Sequence, residues 1–194
     1  MRILALFKMV PKLEDLTDSD WEVGPSLRPD DSYAREVANP DDESALEISL
    51  RIRDSLGARR CFLAAMTMGD SPAARRFGKT LKALGFDRVS LNPVDFEARF
   101  CPDLMAGAIA ANISDSFQLV RTGARSADGQ NGLTAMYLAE FLKWPLITEV
   151  TNAYVDPGHP GELSAESLSD GLALLQAVRP PLILSIGNAP SAFL

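Results

Sequence analysis

Six short strand-like runs recur along this chain: ILALF (Ile3 to Phe7), CFLAAM (Cys61 to Met66), RVSLN (Arg88 to Asn92), SFQLVRTG (Ser116 to Gly123), PLITEV (Pro145 to Val150) and PPLILSIG (Pro180 to Gly187). Most are continuously apolar rather than alternating, the pattern of strands buried on both faces. The first four gaps between them each hold a helix-like stretch. Strands that alternate with helices in this way predict an α/β fold, a mostly parallel sheet with helices on both faces.

The helix boundaries carry their own chemistry. Asn39 is placed to cap the first helix, Pro40 fits its first position, Asp41, Asp42 and Glu43 suit the positive end of its dipole, and Gly57 stops it. The second helix follows Asp70 or Ser71 as cap and ends at Gly85; the third spans Pro102 to Ile113 and the fourth Leu133 to Trp144. Residues 11 to 38 are polar, acidic and proline-containing, a long excursion with a short hairpin expected around Trp21 to Leu27. After Thr151 the rhythm changes. PGHPG and SDG are turn signals, and Leu172, Leu174, Gln176 and Val178 alternate as in a strand of a C-terminal β-hairpin. A helix from Ser164 to Val178 is the rival reading, disfavoured by Gly171 inside it.

Composition bounds the function. A length of 194 residues fits one domain, 1–194, able to bury a core without disulfide or metal staples. No apolar run is long enough to span a bilayer, so no membrane insertion is expected. The opening MRILALFKMVPK reads as a first strand and not a signal peptide, which points to a cytoplasmic protein. A net charge of −7 argues against nucleic acid as the main partner, because phosphate backbones need a basic face. It does not argue against one nucleotide held by local donors. Cys61 and Cys101 belong to no C-x-x-C pair and read as buried structural cysteines. The single histidine, His159, sits in the turn segment PGHPGE, which disfavours zinc sites, serine triads and cysteine–histidine pairs. No catalytic or metal-ligating set is expected.

In a parallel sheet, ligands bind where strands turn into helices, at the carboxyl ends of the strands. Three such turns can be compared. The first, Asn39 to Glu43, holds three carboxylates that would meet a phosphate with like charge. The second, Met68 to Ser71, has Asp70 near the cap position. The third, Gly123 to Thr134, offers Gly129 and Gly132 for close backbone approach, Arg125 nearby and Thr134 as a hydroxyl donor, with Asp128 its one acid. By elimination the third is the best anion site. It is neither a P-loop nor G-x-G-x-x-G, so a plain connecting turn is the other reading.

Taken in order, these segments resemble the β subunit of electron transfer flavoproteins. The resemblance runs through ILALFKMVP, NPDDESALEISLRIRD, AAMTMGDSPAARRFGKTLKALGFDRV, GARSADGQNGLTAMYLAEFLKWP and RPPLILSIGNAP, nearly the whole chain. It implies an adenine nucleotide α-hydrolase-like, Rossmann-like three-layer sandwich. It implies an electron carrier subunit without independent turnover, paired as a heterodimer with an α-like subunit that carries the redox FAD. The β subunit would itself hold AMP, or a second FAD, and electrons would pass between a flavin dehydrogenase or other redox partner and an acceptor. Carried over by position, Leu6 and Lys8 would lie near the nucleotide, and Asn39 and Asp41 by the adenosine. Thr67 and Met68 would offer backbone to the base or ribose, and Asp128, Gly129, Asn131, Gly132 and Thr134 would wrap the phosphates. Gly123 and Arg125 open the same loop. Two departures stand out. Leu133 replaces the family's glutamine before the loop threonine, and Ala124 and Arg125 replace a basic residue and glutamine. Ending at NAPSAFL, the chain is read as a short member without the family's docking loop and C-terminal arm. The alternative function is a structural or regulatory adenine-nucleotide-binding module that has lost electron transfer. A hydrolase or transferase on the same fold would have to use Asp128 or Asp41 as its base.

Overall fold

A computed structural model of the chain describes residues 1–22, 29–95, 97–114, 116–156, 158–159 and 161–187. In chain order the elements are β1 (Arg2–Leu6), β2 (Met9–Pro11), β3 (Glu36–Ala38), α1 (Pro40–Leu56), β4 (Phe62–Thr67), α2 (Pro72–Ala83) and β5 (Arg88–Leu91). Then follow α3 (Pro102–Asn112), β6 (Leu119–Gly123), α4 (Thr134–Leu142), β7 (Leu146–Val155), β8 (Leu163–Ser169), β9 (Leu172–Val178) and β10 (Leu182–Ile186).

The main sheet runs β5-β4-β1-β6-β10-β7-β8-β9. The six strands from β5 to β7 pair in parallel, and β8 and β9 add an antiparallel hairpin to the β7 edge. The apolar runs read as two-faced strands because each feeds two cores. Ile3, Ala5 and Phe7 face one core with Leu63, Ala65, Leu184, Leu46 and Ile52 of α1 and Leu81 of α2. Their neighbours Leu4 and Leu6 face the other with Ala64, Met66 and Met68, under Ala106 and Ile109 of α3 and Leu138 of α4. Helices thus cover both faces, and the fold is a Rossmann-like three-layer α/β sandwich.

The hairpin reading of the C-terminal region holds and the rival helix does not: β8 and β9 pair from Leu163↔Val178 to Ser169↔Leu172, turning at Asp170 and Gly171. Strand β7 continues to Val155, five residues past the expected end, because TNAYV pairs with β8. In the 11–38 excursion, Trp21 closes a 3-10 turn, Asp18–Trp21, and the rest of the expected hairpin falls largely outside the described residues. A different pairing ties the excursion back: β2 and β3 form an antiparallel ladder, Met9↔Ala38 to Pro11↔Glu36. Cys61 is buried as expected, while Cys101 is only half-buried; both are free thiols.

Strand β1 has β4 on one side and β6 on the other, so successive units leave it in opposite directions. That reversal opens a crevice at the carboxyl ends of β1, β4 and β6, where doubly wound sheets hold ligands.

Candidate functional site

A cleft of about 330 Å³ lies at this crevice. Its size falls in the range of small-ligand pockets. Its walls come from the segments after β1 (Leu6 to Met9), after β4 (Met66 to Ser71) and after β6 (Thr122 to Ser126), with Gly129 to Ala135 leading into α4. Of the residues singled out from sequence, Leu6, Lys8, Asn39, Thr67, Met68, Gly123, Arg125, Gly129, Asn131, Gly132 and Thr134 all line it. Asp41 lines a separate polar groove with Arg125, Gln130 and Glu149. Asp128 is absent from the lining but sends its carboxylate to the Lys8 ammonium, 2.6 Å away.

The start of α1 scaffolds the loop after β6. Asn39 occupies the N-cap position as expected, although its side chain makes no cap bond. Its Nδ2 instead donates to the Arg125 carbonyl at 2.8 Å, and its Oδ1 accepts from the Ala127 amide at 2.9 Å. Asp41 accepts from the Arg125 amide at 3.1 Å. Asp42, buried, accepts from the Gly123 amide at 2.7 Å and from the Lys8 amide at 2.9 Å. Burial pushes the Asp42 carboxyl up to about 7, against the pull of those two amides. Burial also raises Asp41, with Glu149 nearby adding to the shift.

The far half of the loop is a tight turn. The Gln130 amide donates to the Ser126 carbonyl at 2.9 Å, with Gln130 at φ 52°. Gly132 sits at φ 65°, a conformation that favours glycine, and delivers the chain to α4. The N-cap residue of α4, Leu133, gives no side-chain cap. Asn131 Oδ1 takes the Leu133 amide at 3.0 Å and the Leu133 carbonyl the Met136 amide, so the positive end that the helix turns to the cleft is carried by Thr134 and Ala135, an arrangement that attracts anions.

Three contributors escaped the sequence reading. Arg99, in the 3-10 turn Glu97–Phe100, lines the cleft with its guanidinium 3.9 Å from Asp128 Oδ2. Phe100 lies beneath the Lys8 ammonium, 5.5 Å from the ring centroid. Thr122, the residue before the loop glycine, is buried and lines the cleft. No pattern marks any of the three, since their roles depend on which segments the fold brings together. Among the described residues, Thr122 Oγ1 and Asp128 Oδ2 are buried without a hydrogen-bond partner. Buried polar atoms are rarely left so, and Thr122 lines the cleft, where a ligand could satisfy its hydroxyl. The described residues hold no cluster of His, Cys, Asp and Glu able to bind a metal. His159 lies outside the cleft, with Nδ1 2.9 Å from Asp156. Among the described residues no helix is long and apolar enough to cross a membrane.

Residues 30–193 match the model of the electron transfer flavoprotein domain. The chain belongs to the electron transfer flavoprotein family. It is 33% identical over 159 residues to the electron transfer flavoprotein-type subunit YgcR of Escherichia coli (strain K12), covering 80% of this chain and 60% of that one. It is 26% identical to the acryloyl-CoA reductase electron transfer subunit gamma of Anaerotignum propionicum, covering 96% and 67%. It is 27% identical to the electron transfer flavoprotein subunit beta of Thermoanaerobacterium thermosaccharolyticum, covering 96% and 68%. The chain thus spans about three fifths to two thirds of the length of these curated relatives.

Proposed function

We propose that this chain is a β-type subunit of an electron transfer flavoprotein, holding an adenine nucleotide, AMP or FAD, in the cleft at the ends of β1, β4 and β6. The observation that carries the reading is the convergence of Lys8, Arg99, a glycine-bearing loop and the start of α4 on one cleft. The buried Thr122 hydroxyl, which lines the cleft without a hydrogen-bond partner among the described residues, fits a polar ligand there. The names of the relatives, electron transfer subunits of larger complexes, support the same reading.

In this function the residues divide the work. The ammonium of Lys8 and the guanidinium of Arg99 offset phosphate charge, while the amides around Gly132 and the Thr134 hydroxyl donate to phosphate oxygens. Leu6, Met66 and Met68 give the base an apolar wall, and Thr122 offers its hydroxyl inside the cleft. Asn39 and Asp41 act through the loop backbone rather than on the ligand. A flavin bound with an α-type partner supplies the redox chemistry. The chain's own part is to bind, orient and exclude water, and no acid–base step is assigned to it.

The test is to purify the chain alone and co-expressed with an α-type partner, denature it, and identify the released nucleotide by mass spectrometry and visible spectrum. AMP in the chain, with FAD arriving only with the partner, supports a β subunit of the AMP type. Two FAD per heterodimer supports the two-flavin type. A chain free of nucleotide in both preparations overturns the reading.

A further inference from the structure

We propose that Asp42 is the positioning residue of this site, its carboxylate clamping the ends of β1 and β6 so that the phosphate loop takes its binding shape, and that protonation of this clamp weakens nucleotide binding. The proposal rests on the nucleotide reading above. It goes beyond that reading by assigning a control element to a residue that need not touch the ligand.

The geometry is specific. One carboxylate oxygen accepts from the Gly123 amide at 2.7 Å, where β6 becomes the loop. The other accepts from the Lys8 amide at 2.9 Å, where β1 delivers the lysine to the cleft. One side chain on α1 therefore joins segments 34 and 81 residues away in sequence. The fit around Gly123 is close: a Cβ there would stand 2.5 Å from Asp42 Oδ1 and 2.9 Å from the Asp42 amide nitrogen. Lys8 and the loop are further joined by the Lys8–Asp128 ion pair. A shift of either strand end against the other would move the Lys8 ammonium relative to Gly129–Thr134.

Only the ionised form can hold both amides well. A carboxylate offers acceptor lone pairs on both oxygens, whereas a carboxylic acid has a hydroxyl that must donate. Both oxygens of Asp42 face N–H donors, so a proton on either makes that oxygen a weaker acceptor and loosens one strand end. The charged groups on the segments it joins and on those packed beside them are Asp41 and Glu43 on α1, Lys8 after β1, Arg121 buried in β6, Arg125 and Asp128 on the loop, and Glu149 on β7 beside Arg125. Asp41 disfavours the Asp42 charge, Lys8 is paired with Asp128, and Arg125 is paired with Glu149. With burial raising Asp42 to about 7, the switch falls at neutral pH. Stability and binding then respond in opposite directions. The folded chain prefers the protonated acid, so this group adds stability as pH falls through 7. The loop prefers the carboxylate, so binding weakens over the same range.

The experiment measures AMP affinity by calorimetry at pH 8 and pH 6 for the wild-type chain and Asp42→Asn, with thermal melts of both. If only the ionised clamp binds, wild-type affinity falls about tenfold from pH 8 to pH 6, the limit for one group titrating at about 7. The second ionisation of AMP accounts for at most about twofold of that. Asp42→Asn is expected to melt no lower than wild type, and to bind at both pH values as weakly as wild type does at pH 6. A wild-type affinity that changes by no more than the twofold, or an Asn variant that binds as wild type at pH 8, overturns the clamp. If the variant melts early, the wild-type pH step alone decides. A folded wild-type chain that binds no AMP at either pH overturns the nucleotide reading itself and the clamp with it, a result distinct from either of the others.

Discussion

Replacing Gly123 with alanine tests the close approach at the mouth of β6. The added methyl carbon would meet Asp42 Oδ1 at 2.5 Å, Asp41 Cβ at 2.8 Å and the Asp42 amide nitrogen at 2.9 Å. All three atoms belong to the start of α1, and two of them, a backbone nitrogen and a Cβ, have little freedom to swing away. Relief requires α1 and β6 to part, and overpacking of this kind costs about 1–3 kcal/mol. Parting them also stretches the Gly123 amide bond to a buried carboxylate, which contributes roughly another 1 kcal/mol. The sum is about 2–4 kcal/mol, or a fall in melting temperature of roughly 4–16 °C for a chain of this length. Gly107 is the control. It lies inside α3, where a methyl would touch only the Phe141 ring at 3.8 Å, so alanine there should add about 0.5–1 kcal/mol. Thermal melts by circular dichroism read both. A Gly123→Ala chain that melts within about 1 °C of wild type would refute the close-approach argument.

The Lys8–Asp128 pair ties the end of β1 to the loop with both side chains mostly covered. Lys8→Met and Asp128→Asn should each destabilise by about 1–3 kcal/mol, and the double variant by less than their sum, a coupling of roughly 1 kcal/mol or more in a denaturant cycle; strict additivity would dissolve the pair. Arg121 in mid-β6 is fully buried, its three guanidinium nitrogens lack a partner among the described residues, and burial drives it down to about 9. Arg121→Met should therefore raise the melting temperature, by at least about 1 kcal/mol of stability, and a lower one would show that the guanidinium is satisfied in solution.

The fold was legible because each core strand is a continuous apolar run feeding two cores, as Ile3 and Leu4 do. The hairpin β8–β9 was legible from the turn at Asp170 and Gly171. The pairing of β2 with β3 was not, since three-residue strands so far apart in sequence leave no periodicity to read. At the site, the loop from Gly123 to Thr134 could be chosen from its glycines and from the positive end of the helix behind it. Asp42, Thr122 and Arg99 could not, because each owes its role to a segment brought alongside by folding. Asp42 looked like a dipole-compensating residue of a helix start, and only its contacts with Lys8 and Gly123 show it as a clamp. Arg121 sat unnoticed in a strand assigned to the core, where a cation contradicts the rule that buried charges are paired.

The acidic start of α1 had counted against any phosphate near it, and the contacts explain how both can share one end of the sheet. Asp41 and Asp42 accept from the amides of Arg125, Gly123 and Lys8, and Asn39 holds the Ala127 amide. The first half of the loop thus turns its donors toward α1. The phosphate oxygens of the proposed nucleotide would look to the second half, where Gly132 leads into the start of α4 and Thr134 lines the cleft. Thr134→Val removes the hydroxyl and keeps the shape. It should weaken AMP binding by about tenfold to a hundredfold, the effect of one hydrogen bond to a charged group, with little change in melting temperature. Asp41→Asn should affect binding less, because that side chain faces the separate polar groove and reaches the loop only through the Arg125 amide. Calorimetry on the two variants decides between the two ends of the loop. Full binding by Thr134→Val together with loss in Asp41→Asn would move the phosphate to the α1 side and refute this division of the loop.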